Sequence, residues 1–186
     1  MINAIKSDPQ LVPFIKQKSE CCYDGKPKQP YIDEAIDDDS VVALTPDRYY
    51  NRVHPDDTPP SIDHLVTLAC NDEGFAHFLI EDKNVKSAKG IDVKNIYRKF
   101  ETTLEDFMAK RFGQIFLDHA YPIRFIELYL VTNPLLKKPR EKESRTGDST
   151  RLELLLMMPP FKFRGIVARI KHSYPEVLVK MQGAVQ

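Results

Sequence analysis

The chain has 186 residues, with 27 Lys and Arg against 27 Asp and Glu, and 42% of its residues are hydrophobic. This length and composition predict one globular domain over residues 1–186. Proteins that hold DNA by themselves usually carry an excess of basic residues, and the zero net charge of this chain argues against that class. Three cysteines exclude a disulfide framework, and no run of about 20 apolar residues predicts a membrane span, so we expect a cytoplasmic protein.

The first third of the chain predicts short helices, an acidic segment and one strand. Met1–Ser19 carries apolar residues interrupted by two prolines, which favours one or two short helices. Residues 33–39 contain five acids. A solvated surface is the ordinary interpretation of such a run, and the alternative is that Glu34 supplies an additional metal carboxylate. Ser40–Leu44 predicts a strand, and Asp47–Pro60 predicts a loop of about a dozen residues.

Two apolar strands in the middle of the chain organise the rest of it. His64–Cys70 and Phe75–Ile80 are almost free of polar residues, and they flank the turn sequence Asn71-Asp72-Glu73-Gly74. Runs without polar alternation are typical of strands that are covered on both faces. We therefore predict a β-hairpin at the centre of a sheet.

Charged residues stand at the open end of this hairpin. Asp63 precedes the first strand, and Glu81, Asp82 and Lys83 follow the second. Because a hairpin returns on itself, we expect these residues to lie together at one end of the sheet. In an extended segment Glu81 and Lys83 point to one face and Asp82 to the other. A four-residue turn sets Asp63 opposite Asp82, whereas a bulge, a three- or five-residue turn, or a strong twist brings Asp63 to Glu81. The sequence leaves these alternatives open.

A basic segment follows the hairpin. Six Lys and Arg residues lie within residues 83–99, where a single acid stands. A solvated loop and helix start would explain any one of them. Their clustering beside the acids, in an otherwise neutral chain, favours contact with a DNA backbone, which we assign to Lys86, Lys89 and Lys94.

The remaining segments complete a layered pattern. Apolar residues in Val93–Phe116 step by three and four, which predicts one long helix. Ile123–Val131 and Arg151–Met157 predict strands, and Ile166–Ile170 with Val177–Met181 predicts a C-terminal helical segment. The order of helix, three strands, helix, two strands and helix predicts a three-layer α/β fold in which helices flank a central mixed sheet.

The spacing of the charged residues carries a family resemblance. An acid, 17 intervening residues and then Glu81-Asp82-Lys83 resemble the signature of PD-(D/E)xK nucleases, with Ser61-Ile62-Asp63 where that signature has Pro-Asp. Chain length and the order of elements over Ser40–Leu156 resemble, more narrowly, the small catalytic subunits of heterodimeric type IIS restriction endonucleases.

This resemblance implies a restriction-endonuclease-like fold and Mg²⁺-dependent hydrolysis of double-stranded DNA. Asp63 and Glu81 would be catalytic residues and metal ligands, with the carbonyl oxygen of Asp82 as a further ligand, and Lys83 would face the scissile phosphate. It also implies a larger partner subunit that reads the DNA sequence and nicks one strand, while this chain cuts the other. The lack of a helix-turn-helix or zinc-finger pattern agrees with that division.

Other functions stay open at the level of sequence. The charges at the strand ends could be a surface ion pair, which contributes only ~0–1 kcal/mol. The chain could be a non-catalytic interaction or regulatory protein with a nuclease-like fold, or a stand-alone repair nuclease. Serine-nucleophile catalysis and nucleotide binding are disfavoured, because the sequence has neither a Gly-x-Ser-x-Gly elbow nor a P-loop.

Overall fold

A six-stranded mixed sheet runs through the middle of the fold. The computed structural model describes residues 1–25, 28–70, 74–85, 90–133 and 148–180. Its strands are β1 (Ile15–Lys16), β2 (Val41–Leu44), β3 (His64–Cys70), β4 (Gly74–Lys83), β5 (Ile123–Thr132), β6 (Phe161–Phe163), β7 (Ile166–Ala168) and β8 (Ile170–Ser173). The sheet order is β1-β2-β3-β4-β5-β8, antiparallel from β1 to β4 and parallel from β4 to β8. Strands β6 and β7 form a separate antiparallel hairpin.

Five α-helices accompany the sheet in the described parts of the chain. They are α1 (Ile2–Ser7), α2 (Pro46–Val53), α3 (Val93–Thr102), α4 (Gly113–Phe116) and α5 (Asp148–Leu156). A π-helix over Thr103–Arg111 joins α3 to α4, and 3₁₀ turns occupy Val12–Phe14, Lys18–Glu20 and Asp38–Ser40. Within the described ranges, no helix combines the length and apolarity needed to cross a membrane.

Two hydrophobic cores lie on the two faces of the sheet. On the face that we call the front, inward side chains of β3 and β4 such as Leu65 and Leu79 join residues of all five helices in one core. On the back, Val66 and Ile80 pack against buried residues of segment 21–36. The sheet is thus the middle of three layers, and the predicted three-layer α/β fold with a central mixed sheet is confirmed.

Strands β3 and β4 have the central place that their apolar sequence predicts. Each pairs with a strand on both sides, and nearly all of β4 is buried. The one polar residue within the apolar run of β4, His77, lies opposite Thr67 of β3, and the two side chains hydrogen-bond at 2.9 Å. Both are fully buried, so each satisfies part of the polar requirement of the other.

The long helix predicted over Val93–Phe116 forms as three consecutive helical pieces. Its apolar stripe is buried as expected, including Ile96, Phe100 and Phe107. The central piece is the π-helix. The hydroxyl of its first residue, Thr103, donates a hydrogen bond to the carbonyl of Lys99 in α3 at 2.8 Å. π-helical segments are rare, are usually a single turn within an α-helix, and are frequently found at functional sites.

Two segments that we predicted as loop and strand are helical. Part of the loop predicted over Asp47–Pro60 belongs to α2, which starts with Pro46 in the first turn, a position where proline is favourable. The strand predicted over Arg151–Met157 is wrong, because α5 covers most of this range. Leucine and glutamate are strong helix formers, and the residues that face the core, Leu152, Leu155 and Leu156, are spaced by three and four, which is a helical and not an extended arrangement.

The prediction of a C-terminal helical segment is also wrong. Residues 166–173 form β7 and β8, and the isolated bridge between Val179 and Ile32 is the only pairing that Val177–Met181 contributes within the described residues, which end at 180. The missed signal is Arg164-Gly165, where φ is 50° and 82°. Two successive residues with positive φ are typical of a two-residue type I′ hairpin turn, and β-branched residues follow it.

Candidate active site

The register of the β3–β4 hairpin decides where Asp63 lies. Cys70 pairs with Gly74, so three residues separate the paired ends. Continuing this register by one residue beyond β3 sets Asp63 opposite Glu81, and directly opposed residues lie on the same face of a sheet. The structure therefore has the three-residue connection, and not the four-residue turn that would set Asp63 opposite Asp82.

Glu81 is the buried centre of the charged group. Its side chain has 0% exposure, on the front face of the sheet. Its Oε1 lies 2.7 Å from the ammonium of Lys83 and 2.7 Å from the ammonium of Lys99. Its Oε2 is buried without a hydrogen-bond partner. Oε1 therefore contacts two ammonium groups, whereas Oε2 is free to accept a hydrogen bond or to bind a cation.

Asp63 stands beside Glu81 with part of its carboxylate open to solvent. Its Oδ2 accepts a hydrogen bond from the backbone N–H of Asp82 at 2.7 Å, and its Oδ1 lies 4.0 Å from the ammonium of Lys99. Its side chain is 24% exposed. Asp63, Glu81, Lys83 and Lys99 thus form one group at the end of the sheet where β3 begins and β4 ends.

The electrostatics of this group favour a bound cation. Burial, and then the negative charge of Asp63, raise the pKa of Glu81 to about 7, although Lys99 and Lys83 oppose this rise. Burial lowers the pKa of Lys99, but Glu81 and Asp63 outweigh it and the pKa of Lys99 is raised. Two carboxylates held this close at low dielectric repel each other, so a cation between them would be favourable.

Lys99 is a site residue that sequence reasoning did not single out. It belonged to the predicted basic segment, and the sequence analysis did not distinguish it from the exposed basic residues around it. A signal was present: Lys99 lies three residues after Ile96 and four before Thr103, and both of these are buried on α3 and the π-helix. A lysine within the buried stripe of an amphipathic helix needs an anionic partner, and Glu81 is that partner.

Asp47 is a second acid that the sequence analysis missed, since it was assigned to a loop. It lies in the first turn of α2, its Oδ1 is buried without a hydrogen-bond partner, and burial and then the charge of Asp63 raise the pKa of Asp47. Glu34, the additional carboxylate that we considered, is exposed and lies in the segment that covers the back of the sheet. The extra acid near the site therefore comes from α2.

The side chain of Asp82 lies away from the other three predicted residues. As expected for the middle of three strand residues, it lies on the back of the sheet. There it accepts a hydrogen bond from the Tyr31 hydroxyl and forms an ion pair with His64, Nε2 to Oδ2, at 3.6 Å. Only main-chain atoms of Asp82 can take part at the front.

The predicted DNA-backbone lysines are described in part. Lys94 is exposed on the first turn of α3, and Arg98, one turn further along the helix, is exposed as well. Lys86 and Lys89 lie outside the described residues. The helix that carries Lys99 into the site therefore carries two exposed basic residues on its surface.

The donor set fits a hard divalent cation. Within the described ranges, no group of three or more His, Cys, Asp or Glu side chains is arranged to hold a metal ion. Mg²⁺ does not require such a group, because it is commonly bound through one or two carboxylates, with waters and substrate phosphates as the other ligands. Asp63 and Glu81 would supply the carboxylates, and the buried Oε2 of Glu81 has no hydrogen-bond partner.

Comparisons of the chain with protein-family models, with curated proteins and with solved structures found no match.

Proposed function

We propose that the chain is a Mg²⁺-dependent DNA endonuclease of PD-(D/E)xK type that cuts one strand as the small subunit of a heterodimeric type IIS restriction enzyme. One observation carries this proposal. Glu81 is fully buried at a sheet edge opposite Asp63, with two lysines on one oxygen and none on the other. Phosphodiester hydrolysis needs carboxylate oxygens for a metal and a cation for the phosphate, and this group supplies both.

Each residue has a role in this proposal. Asp63 and Glu81 would hold Mg²⁺, which when bound supplies an activated water and neutralises charge on the phosphate. Lys83, whose side chain is 24% exposed, would donate to a non-bridging phosphate oxygen and stabilise the charge that develops there. Lys99, more deeply placed at 16% exposure, would keep the Glu81 carboxylate oriented.

The burial of Glu81 argues against an ordinary surface ion pair. An exposed pair contributes little, but it also costs little to form. A fully buried carboxylate with an unbonded oxygen costs several kcal/mol of desolvation, by general estimates, unless something compensates it. A fold that retains such a group at a sheet edge is better explained by use of that group in binding.

The subunit part of the proposal rests on charge. The chain has no net charge, and the described basic residues beside the site are few. Non-specific DNA affinity grows with the number of neutralised phosphates, and sequence-specific binding buries on the order of 1,000 Å² or more around a groove-entering element. A larger partner would supply both the affinity and the sequence recognition.

Plasmid cleavage with Mg²⁺ tests the function, using the purified chain with and without large subunits encoded beside it. We expect double-strand breaks only with a partner, and we expect Glu81→Ala to leave nicked plasmid in place of linear product. Glu127→Ala is the matched control, because Glu127 is a carboxylate on β5 that pairs with Lys171, on the back of the sheet. This control should cut normally.

The alternatives predict different products. Cleavage of DNA by the chain alone, at a rate that a partner does not change, would favour a stand-alone nuclease. Absence of cleavage with every neighbouring subunit would favour the non-catalytic interaction protein. Undiminished double-strand cleavage by the Glu81→Ala variant would reject the placement of the site.

A further inference from the structure

A buried polar cluster lies on the back of the sheet directly behind the candidate site. We call it the back cluster, and it consists of Tyr31, His64 and Asp82. The Tyr31 hydroxyl donates to Oδ1 of Asp82, and His64 Nε2 lies 3.6 Å from Oδ2 of Asp82. Tyr31 is 0% exposed, and His64 is 2% exposed. Because solvent cannot reach the cluster, it offers no surface to a substrate.

The back cluster and the site use adjacent positions of the same two strands. His64, the first residue of β3, follows Asp63, and Asp82 follows Glu81 on β4. Side chains alternate between the faces of a strand, so the residues that meet on the back are chain neighbours of the two acids that meet on the front. The backbone also links the two faces, since the N–H of Asp82 donates to Oδ2 of Asp63 at 2.7 Å.

We propose that Tyr31 and His64 are positioning residues, which fix Asp82 from behind so that its backbone N–H holds the Asp63 carboxylate toward Glu81. The role of that carboxylate rests on the proposed function, whereas the positioning itself is a property of the fold. Residues that orient metal ligands from outside the ligand shell commonly change metal affinity by 10- to 100-fold when they are removed.

Packing alone does not account for polar groups at these positions. The neighbouring inward residues on the back of β3 and β4, Val66 and Ile80, are apolar and fully buried. Apolar residues of similar volume are often as stabilising as a buried ion pair, or more so. On this back face of the hairpin, buried polar side chains are confined to the end where Asp63 and Glu81 face each other on the front.

Tyr31→Phe tests the proposal because it removes one hydroxyl and keeps the ring. Hydrogen exchange of the Asp82 amide, followed by NMR, reports the bond to Asp63 directly. We expect this amide to exchange at least 10-fold faster in the variant, and we expect the affinity for Mn²⁺ alone, by calorimetry, to fall about 10-fold or more. Thr67→Val is the matched control, because it removes a buried hydroxyl from the same hairpin, where Thr67 bonds His77.

A second variant separates positioning from loss of stability. Asp82→Asn keeps an acceptor for the Tyr31 hydroxyl, whereas Asp82→Leu removes it. The backbone amide of residue 82 should therefore exchange at a rate closer to the native rate in Asp82→Asn than in Asp82→Leu. An unchanged Asp82 amide in Tyr31→Phe, or an equal effect in Thr67→Val at matched stability, would overturn the proposal. If the native chain itself fails to bind Mn²⁺, the proposed function fails, and the amide measurement still decides whether the back cluster positions Asp63.

Discussion

The two oxygens of Glu81 are in unequal environments. Both nearby lysines approach Oε1, and Oε2 has no hydrogen-bond partner although it is buried. A carboxylate in this state has its orientation fixed by one oxygen while the other remains available. That is the arrangement expected of a ligand that is oriented before its cation arrives.

Lys83 and Glu81 should respond differently to mutation. For Lys83→Ala we expect cleavage by the complex to fall at least about 100-fold, because a donor to the developing phosphate charge is lost. Mn²⁺ affinity should change much less, since both carboxylates remain. Lys162→Ala, at an exposed lysine on β6, is the control. A loss of metal affinity equal to the loss of cleavage would contradict this role for Lys83.

His77 predicts a specific pH dependence of stability. Burial, and then the positive charge of Arg164, lower the pKa of His77 to about 3 from 6.5. The unfolded chain therefore binds one more proton than the folded chain between these values, so this histidine contributes stability above pH 6.5 that is lost as the pH falls toward 3.

His77→Gln should flatten this part of the stability profile. The difference in unfolding free energy between pH 7 and pH 4 should shrink by up to about 3 kcal/mol, because one proton is worth about 1.4 kcal/mol per pH unit. Denaturant titrations at several pH values measure it, with His119→Gln at an exposed position as control. Parallel profiles for the native chain and His77→Gln would show that His77 does not titrate as stated.

At the scale of elements, Arg111 of the π-helix contacts α2 through several groups. Arg111 Nε lies 2.6 Å from Asp106 Oδ2, and its guanidinium also reaches His54 at 2.8 Å and Tyr49 at 3.4 Å. The guanidinium lies over the Tyr50 ring at 5.1 Å. Tyr49 and Tyr50 belong to α2, and His54 lies at its C-terminal end. Because α2 also carries Asp47, Arg111 helps to fix the position of this helix relative to the π-helix.

Removal of this arginine should destabilise the fold. We expect Arg111→Ala to lower the unfolding free energy by about 2 kcal/mol, because charge-assisted hydrogen bonds and a cation–π contact are lost together. Lys110→Ala, on the exposed side of the same π-helix, should change it by less than about 0.5 kcal/mol. Equal effects of the two changes in urea unfolding would show that Arg111 does not join the elements.

At the scale of the whole molecule, zero net charge would limit how tightly this chain could hold DNA by itself. If Lys86, Lys89 and Lys94 are the backbone contacts, the isolated chain should bind duplex DNA weakly and without sequence preference. The logarithm of the affinity should fall with the logarithm of salt concentration with a slope of about −3, and Lys94→Ala should reduce the slope by about 1. Gel-shift titrations measure both quantities, and tight sequence-selective binding would contradict the subunit proposal.

The centre of the fold could be predicted because its sequence is unambiguous. Runs almost free of polar residues identified β3 and β4, and the charges at their ends marked the end of the sheet where Asp63, Glu81 and Lys83 lie together. The register between these strands could not be predicted, because it depends on the geometry of the turn and not on the apolar pattern.

The errors have definite physical causes. In α5 the leucine-rich run fits helix and strand periods equally, and tertiary packing decides between them. In β7 and β8, the turn at Arg164-Gly165 was overlooked. Lys99 and Asp47 were missed because each reaches the site from a helix, and no sequence spacing relates those helices to the hairpin.

The backbone around Tyr31 has a consequence for how the protein is made. The Tyr31 carbonyl accepts from the N–H groups of Leu178 and Val179, both at 2.9 Å, and the Asp33 N–H donates to the carbonyl of Val179 at 3.0 Å. Segment 31–33 leaves the ribosome early in synthesis, but these partners leave it only after the whole sheet has been translated. A nascent chain that has been synthesised as far as Ser173 already contains Asp63, Glu81 and Lys99. It still lacks residues 178 and 179, whose backbone hydrogen bonds to segment 31–33 hold the layer behind those three residues in place.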